Sequence, residues 1–352
     1  MTIKKKYAID GLFLTQRITG IQRVAFELVK ALDKIVKKNE IIIIAPDTEL
    51  TNIELTNISV VKYGRLKGIA WQQICFAYYL WKNDLNALCL TNILPLLYRR
   101  GMIMLHDVSY KANPCFFTSK RDRLSAIWHR LNYYLAAKSK MTILTVSNFS
   151  KSEIKKYYSV PDKRIHVIYN AWQHMDSVGK SEEVFKKNIE IKKSEYFFSM
   201  ATMAPNKNYK WIVNAAKNNP DKIFVIAGGG NLSVEGLNNL IILGYVTDED
   251  AKALMGNCKA FIFPTFYEGF GLPPLEAIAC GAPEIIVSDT PCMREIYRNY
   301  ANYLDPNNYS CLIIRESTKY NRDLLEQYSW IVSADKLYAL LNITNPSFAV
   351  QY

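Results

Sequence analysis

Short apolar runs alternate with amphipathic segments along almost the whole sequence. Seven such runs, beginning with Tyr7–Leu12, lie in the first half, and six, ending with Asn302–Leu304, lie in the second. Runs that are apolar at nearly every position predict strands buried on both faces, as in parallel sheets that helices cover. The alternation in both halves therefore predicts an α/β fold of two Rossmann-like, doubly wound parallel-sheet domains.

The length of 352 residues also fits two domains, since domains usually contain about 100–200 residues. The polar stretch Ala171–Ser194 has no strand signal and predicts a linker. We expect one domain over residues 1–175, a second over residues 190–328, and a C-terminal helix and tail over residues 329–352. Ligands of facing α/β domains bind beyond the carboxyl ends of the strands, so the residues that follow each strand are the site candidates.

Positive charge is concentrated in the first half of the chain. The net charge is +12, and residues 1–180 hold 28 Lys and Arg against 13 Asp and Glu. This asymmetry favours an anionic partner for that half, such as a membrane surface, a nucleic acid or a polyphosphate, while solvated surface lysines explain it equally well. No nucleic-acid recognition motif accompanies the charge, so we expect no nucleic-acid partner.

Two features of the sequence bear on where the protein resides. The apolar run after Lys4–Lys6 is interrupted at Asp10, unlike that of a signal peptide, and no run reaches the roughly 18 apolar residues of a spanning helix. The seven cysteines form no C-x-x-C pair, which argues against a zinc ribbon or a disulfide framework and is typical of a reducing compartment. We therefore expect a cytoplasmic protein, either soluble or peripheral on the inner face of the cell membrane.

The segment Phe261–Pro283 predicts a strand, a loop and a helix, with Pro273–Pro274 in the first helical turn and Gly281 just past the last. The free backbone N–H groups at such a helix start bind phosphate. Two carboxylates flank it: Glu268 lies in the loop and Glu276 about one turn into the helix. Carboxylates accept hydrogen bonds from sugar hydroxyls, although an ordinary strand–helix turn with an acid favoured by the helix dipole also explains the two acids.

The same segment resembles the E-x7-E signature of the retaining family-4 glycosyltransferases, also called glycosyl transferases group 1, with Glu268 and Glu276 as its acids. Other segments resemble motifs of this family in the family's order: Gly20–Arg23, His106–Asp107, Val146–Lys151, Met203–Asn208, Gly244–Val246 and Tyr328–Trp330. The resemblance covers nearly the whole chain. It implies a GT-B fold with an N-terminal acceptor domain, a C-terminal nucleotide-sugar domain and a C-terminal crossover helix.

The resemblance also implies a set of site residues. Those implied in catalysis are Glu268, which would hold the donor sugar, Lys207, which would neutralise the diphosphate, and His106, which would lie beside the transferred sugar. Those implied in donor binding are Glu276 at the ribose, the amides of Phe270, Gly271 and Leu272 at the diphosphate or sugar, Gly20 at the sugar-phosphate, Tyr245 and Val246 at the base, and Asn206. Those implied at the acceptor are Asp107 and Arg23.

Asn206 departs from the family pattern, which usually has an arginine at this position. A neutral amide cannot supply a second cation to a leaving diphosphate. Either another basic residue compensates, for which Arg23 is a candidate, or the donor site is weakened. The sequence therefore leaves open a catalytically weak homologue that acts as a subunit or binding protein, and a phosphorylase or epimerase of the same shape.

No cofactor or metal is expected from the resemblance; the nucleotide sugar, with GDP or UDP as its nucleotide, is a substrate. Asp248–Asp250 spells the D-x-D that other sugar transferases use for a divalent metal. Thr247 before it and the helical pattern after it instead predict a helix N-cap with acids in the first turn. We therefore interpret this segment as a helix start.

The segment Lys120–Leu135 of the first half predicts a helix that mixes cations with aromatic side chains, and Lys67–Trp81 predicts a second, aromatic-rich helix. Such helices can lie on anionic lipid headgroups, and ordinary core helices explain them equally well. Together with the resemblance, they lead us to expect transfer of a hexose, mannose or similar, onto a glycan. That acceptor would be lipid-linked and would serve the synthesis of a surface polysaccharide.

Overall fold

The computed structural model describes residues 7–179, 181–200, 202, 204–229, 236–309 and 323–343. The chain divides into two compact units: unit 1 contains Met1–Asn170 and Trp330–Tyr352, and unit 2 contains Ala171–Ser329. Lys4–Lys6, Met203 and the tail after Ile343, all of which entered the sequence analysis, lie outside the described residues.

Unit 1 contains a parallel sheet of seven strands in the order β3-β2-β1-β4-β5-β6-β7. The strands are β1 (Tyr7–Asp10), β2 (Ile41–Ala45), β3 (Ser59–Lys62), β4 (Asn86–Cys89), β5 (Gly101–Met104), β6 (Thr142–Thr145) and β7 (Ile165–Val167). Ile9 of β1 lies opposite Ile43 of β2 and Leu88 of β4, and all three are buried. The continuous apolarity of these strands follows from helices that cover both faces of the sheet.

Unit 2 contains a parallel sheet of six strands in the order β10-β9-β8-β11-β12-β13. The strands are β8 (Tyr196–Met200), β9 (Ile223–Ala227), β10 (Leu240–Gly244), β11 (Ala260–Phe263), β12 (Ile285–Ser288) and β13 (Asn302–Leu304). Trp211 packs against this sheet in a core that includes Phe197, Phe224 and Ile262. The predicted fold class, two Rossmann-like parallel-sheet domains, is confirmed.

Helices connect the strands in both units. They are α1 (Gly20–Asp33), α2 (Gly68–Trp71), α3 (Ala77–Lys82), α4 (Ser109–Ala112), α5 (Lys120–Lys138), α6 (Asn148–Tyr158), α7 (Glu183–Lys187), α8 (Tyr209–Asn218), α9 (Asp248–Gly256), α10 (Leu272–Cys280), α11 (Pro291–Tyr297), α12 (Asp323–Glu326) and α13 (Trp330–Ile343). A π-helical turn, Gln72–Phe76, joins α2 to α3, and 3-10 turns cover Gly11–Thr15, Pro114–Phe116, Asp162–Arg164, Gln173–Ser177 and Pro205–Lys207. The helices predicted at Lys67–Trp81 and Lys120–Leu135 are both present. None of the described helices is both long enough and apolar enough to cross a membrane.

The segment predicted as a linker, Ala171–Ser194, lies within unit 2. Trp172 Nε1 donates a hydrogen bond to the carbonyl of Leu325 (2.9 Å), and Lys252 Nζ donates to the carbonyls of Met175 and Val178 (2.7 Å each). These long-range hydrogen bonds hold the segment within unit 2. Its polar composition, which is typical of a linker, does not reveal this packing. The C-terminal helix α13 belongs to unit 1, where it packs against α1.

Candidate functional site

The order in which the chain adds strands to the sheet of unit 2 reverses between β8 and β11. From β8 the chain continues to β9 and β10 on one side, and it then returns to place β11, β12 and β13 on the other. The loops that follow β8 and β11 therefore diverge at the carboxyl edge of the sheet, where open α/β sheets bind their ligands. These two loops carry Asn206, Lys207 and Glu268.

Hydrogen bonds join the two loops to each other. The backbone N–H of Phe266 donates to the carbonyl of Asn206 (2.8 Å), and the side-chain amide of Asn206 donates to the carbonyl of Tyr267 (3.3 Å). Asn208, with φ at 55°, donates through its side-chain amide to the carbonyl of Pro264 (2.9 Å). Asn206, where the family usually has a cation, therefore has a structural role between the loops.

Lys207 and Glu268 form an ion pair across these loops. Lys207 Nζ lies 2.6 Å from Glu268 Oε1, and the two side chains are only 20% and 13% exposed. Lys207 Nζ also lies over the ring of Phe263, 5.6 Å from its centre. Partial burial strengthens this pair relative to one in water, so the carboxylate holds the ammonium group in a defined place beside the loop that leads into α10.

The helix α10 begins and ends where the sequence predicts. Its N-cap is Gly271, with φ at 82°, and its C-cap, directly after Cys280, is Gly281, with φ at 99°; both values favour glycine. A Cβ on Gly271 would also collide with Cε of Met293. Pro273 and Pro274 have no N–H, so the backbone donors at this helix start are those of Gly271 and Leu272. Because the side chains of Phe270 and Leu272 are buried, these residues can offer a ligand only their backbone.

Glu276 lies in α10 and makes a hydrogen bond that the sequence analysis missed. Its Oε1 lies 2.8 Å from Nε2 of His174, and the two side chains are 11% and 3% exposed. His174 belongs to the 3-10 turn Gln173–Ser177, inside the segment that the sequence analysis took for a linker. The signal in the sequence was the pair of large apolar side chains beside His174, Trp172 and Met175, which are the kind of residue that packs into a core.

Tyr245 and Val246 directly follow β10, which β9 separates from β8. Gly244 has φ at 67°, and its carbonyl accepts a hydrogen bond from Gly228 N–H (2.6 Å), which turns the chain at this strand end. Tyr245 is 64% exposed. Its predicted contact with a nucleotide base stays a prediction.

In the sheet of unit 1, the order in which strands are added reverses between β1 and β4. Asp10 is the last residue of β1. Oδ1 of Asp10 accepts a hydrogen bond from Leu12 N–H (3.1 Å), and Oδ2 accepts one from the side-chain amide of Gln72. Burial raises the pKa of Asp10 from its ordinary value of 3.8 to about 6, and the two hydrogen bonds only partly oppose this rise. The sequence analysis missed Asp10 as a site candidate, although a carboxylate at the end of a buried strand is a usable signal.

His106 follows β5 and is buried. Its Nε2 lies 2.9 Å from the carbonyl oxygen of Leu90, and its backbone N–H donates to Oδ1 of Asn92 (2.9 Å). Burial lowers the pKa of His106, so the ring is neutral at pH 7. Because a carbonyl can only accept, Nε2 carries the proton, which leaves Nδ1 as an acceptor. Nδ1 of the neutral ring can thus accept a hydrogen bond from a hydroxyl group.

The other predicted residues of unit 1 lie at helix starts. Oδ1 of Asp107 accepts a hydrogen bond from Ser109 N–H (2.7 Å) at the start of α4. Gly20 and Arg23 lie in the first turn of α1, after β1. Apart from the adjoining residues and the nearby backbone of α1, no atom of the described residues lies within 4 Å of the place that a Cβ on Gly20 would occupy. The room that Gly20 would leave for a sugar-phosphate stays a prediction.

The D-x-D segment forms a helix start. Thr247 Oγ1 accepts a hydrogen bond from Asp250 N–H (3.2 Å), and Asp248–Asp250 occupy the first turn of α9. The predicted N-cap is therefore confirmed. Over the described residues, no three or more His, Cys, Asp or Glu side chains form a group that could hold a metal ion.

The raised pKa of Asp10 gives a pH-dependent prediction. Between about pH 4 and 6 the folded protein keeps a proton that the unfolded chain releases, so stability falls as the pH rises through this window. A shift of about two pKa units corresponds to about 3 kcal/mol. We expect Asp10→Asn to raise the urea midpoint relative to wild type more at pH 7 than at pH 4. Asp84→Asn, at an exposed ion pair with Arg100, is the control, and an equal effect of Asp10→Asn at both pH values would contradict the assignment.

The model of the family "Glycosyl transferases group 1" matches residues 180–312, which lie in unit 2. Among curated proteins, the O-antigen chain mannosyltransferase RfbU of Salmonella typhimurium is 29% identical over 70% of this chain and 69% of its own length. The O-antigen chain mannosyltransferase B of Escherichia coli is 29% identical over 62% of this chain. This chain spans 61% of that protein, somewhat less than two thirds.

A third relative is the N,N′-diacetylbacillosaminyl-diphospho-undecaprenol α-1,3-N-acetylgalactosaminyltransferase of Campylobacter jejuni. It is 28% identical over 58% of this chain and 55% of its own length.

Two solved structures show the fold. The sucrose-phosphate synthase of Thermosynechococcus elongatus superposes with a TM-score of 0.71 at 12% identity, over 97% of this chain and all of the other. Anabaena Alr3699/HepE, in complex with UDP and glucose, superposes with a TM-score of 0.66 at 14% identity, over 97% of this chain and all of the other. These similarities agree with the sequence motifs: the chain has the GT-B fold, and its residues 180–312 match the model of the glycosyl transferases group 1.

Proposed function

We propose that this protein is a retaining hexosyltransferase that moves mannose from a nucleoside diphosphate sugar onto a lipid-linked glycan during the synthesis of a surface polysaccharide. The observation that carries the proposal is the Lys207–Glu268 ion pair at the switch point of unit 2, in the loops beside the start of α10. A cation, an acid and a helix start are the groups that bind the diphosphate and the hydroxyls of such a donor.

The chemistry of this step requires stabilisation of the leaving diphosphate. Lys207 supplies a positive charge, and the start of α10 supplies the N–H groups of Gly271 and Leu272 and the positive end of the helix dipole. Glu268 fixes Lys207 and accepts hydrogen bonds from the donor sugar, while Glu276 accepts those of the ribose. The acceptor hydroxyl attacks the anomeric carbon from the face that the diphosphate leaves, and a diphosphate oxygen takes its proton. The configuration is thereby retained without a covalent intermediate or a metal.

His106 has a different task in this proposal. Because it is neutral, it does not add to the positive charge around the diphosphate. Its Nδ1 accepts a hydrogen bond from a hydroxyl group of the transferred sugar and thereby orients the sugar.

The names of the relatives support the choice of substrates. RfbU and the E. coli relative are both named as O-antigen chain mannosyltransferases, which makes GDP-mannose the first donor to test. The UDP in the Anabaena structure makes UDP-hexoses the second. The C. jejuni relative is named for a sugar on diphospho-undecaprenol, which supports a lipid-linked acceptor.

A second candidate function is that of a catalytically weak homologue that binds the donor as a subunit of the same pathway. Asn206 favours it, because its amide bonds the carbonyl of Tyr267 where the family usually has an arginine. Nucleotide release from GDP-mannose in the presence of a lipid-linked glycan separates the two functions. Release that persists in EDTA, with an α-linked product from the α-linked donor, supports the retaining, metal-independent transferase; donor binding without any release supports the subunit.

The role of Lys207 leads to a prediction about turnover. Lys207→Met keeps the length of the side chain but removes its charge, so we expect kcat to fall by about 10²–10³-fold, as when an enzyme loses one group that stabilises the transition state. Lys207→Arg should retain more activity than Lys207→Met. The measurement is nucleotide release at saturating donor.

Lys222→Met is the matched control, since Lys222 forms an exposed pair with its neighbour Asp221 and pairs of that kind contribute little. A Lys207→Met protein that keeps the wild-type kcat would exclude Lys207 from the transfer step.

A surface of unit 1 fits the proposed membrane-bound acceptor. Four apolar side chains of α5 are exposed and lie three or four residues apart: Leu124, Ile127, Leu131 and Tyr134. At 100° per residue they form one stripe, with Lys120 and Lys138 in line with it at the two ends of the helix. The buried residues of α5, such as Ala126 and Tyr133, lie on its opposite face. An apolar stripe between cations is typical of a helix that lies on anionic lipid.

The α5 stripe predicts salt-sensitive binding to vesicles. We expect the protein to sediment with vesicles that contain phosphatidylglycerol at low salt, and much less with pure phosphatidylcholine or at high salt. Ile127→Ser with Leu131→Ser should weaken this binding by about tenfold or more, because two apolar side chains no longer enter the lipid. Val332→Ser, at an exposed apolar position of α13, is the control. Self-association through the stripe without any vesicle binding would contradict the membrane proposal.

A further inference from the structure

The buried hydrogen bond between His174 and Glu276 joins two segments of unit 2 that are 102 residues apart. Glu276 is acceptor-only when ionised, so Nε2 of His174 donates to Oε1. Among the described residues, the carboxylate of Glu276 makes its side-chain hydrogen bond to His174, through Oε1. Oε2 is therefore left to accept a hydrogen bond from a ligand.

The turn that carries His174 is held from several sides. Gln173 donates through its side-chain amide to the carbonyl of Tyr328 (2.8 Å), and Ser177 Oγ donates to the carbonyl of His174 itself (2.9 Å). Trp172 and Lys252 add the hydrogen bonds that fix the turn on both flanks. Since the backbone around His174 is fixed and its ring is buried, the imidazole has little freedom to leave Glu276.

We propose that His174 is a positioning residue for Glu276. By donating to Oε1 it fixes the rotamer of the carboxylate, so that Oε2 meets the vicinal hydroxyls of the donor's ribose without first being ordered. The inference rests on the proposed function, because it assigns His174 to the ribose end of the same donor site. With this role, His174 would determine how strongly the protein prefers a nucleotide with ribose hydroxyls over one without them, although His174 itself does not contact the nucleotide.

Two amide substitutions separate this role from simple packing. The side-chain nitrogen of glutamine lies near the position of Nε2 in histidine, whereas that of asparagine lies near Nδ1 and is too short to reach Oε1. His174→Gln therefore keeps the donor to Glu276, and His174→Asn removes it with a residue of similar polarity. The measurement is calorimetric binding of GDP and UDP and of their 2′,3′-dideoxy forms, which lack the ribose hydroxyls.

We expect wild-type protein to bind the better of GDP and UDP at least about tenfold more tightly than its dideoxy form, because the analogue leaves a buried acceptor unpaired. His174→Asn should lose most of this preference while binding of the dideoxy form stays the same, and His174→Gln should retain most of it. Glu276→Gln should lose the preference too, and adding His174→Asn to it should change nothing further.

The outcomes distinguish the inference from the function on which it rests. If wild type discriminates ribose but His174→Asn and His174→Gln behave alike, or if His174→Asn weakens both nucleotide forms equally, the positioning role is wrong and the proposed function stands. If wild type binds neither GDP nor UDP, the inference and the proposed function both fail. Melting temperatures of the variants show whether each remains folded.

Discussion

The hydrogen bonds and the ion pair between the loops after β8 and β11 are the interactions on which the rest of the site depends. Where the strand order reverses, the loops that leave neighbouring parallel strands run in opposite directions and leave an opening at the sheet edge. An opening alone does not bind or activate a substrate. Here Asn206 and Asn208 bind carbonyls of the opposite loop, and this brings Lys207 to Glu268. The loop after β11 then leads through Gly271 into α10, so that two hydrogen-bonded loops carry the cation, the acid and the helix start.

The two units divide their polar groups in different ways. Unit 2 places charged and partly exposed groups at its switch point, as binding of a charged donor requires. Unit 1 buries a neutral histidine, His106, and a carboxyl with a raised pKa, Asp10, near the ends of its central strands, and it presents cations and apolar side chains on α5. This division fits the two proposed substrates, a diphosphate donor and an acceptor hydroxyl group on a lipid-linked glycan.

Much of this architecture could be predicted from sequence, because its signals are local. Continuous apolarity identified the strands, and Pro273–Pro274 and Gly281 marked the bounds of α10. The pairing of His174 with Glu276 could not be predicted, since it joins residues 102 positions apart and no local pattern encodes such a contact. The packing of Ala171–Ser194 could not be predicted for the same reason: its composition is polar, and the long-range hydrogen bonds of Trp172 and Lys252 are what fix it within unit 2. The position of Asp10 at the end of a buried strand could be read from the sequence, but the raised pKa of its carboxyl group could not, because that depends on burial in the folded chain.

The central claim is that a sugar diphosphate binds at the start of α10 against the loops after β8 and β11. Amide hydrogen exchange with and without saturating GDP-mannose tests it most directly, because a bound diphosphate accepts hydrogen bonds from the N–H groups concerned. The account predicts slower exchange in the peptides that cover residues 204–208 and 266–276, with the change concentrated at Gly269–Leu272. Saturating binding that leaves exchange in these peptides unaltered, and slows it elsewhere, would contradict the account.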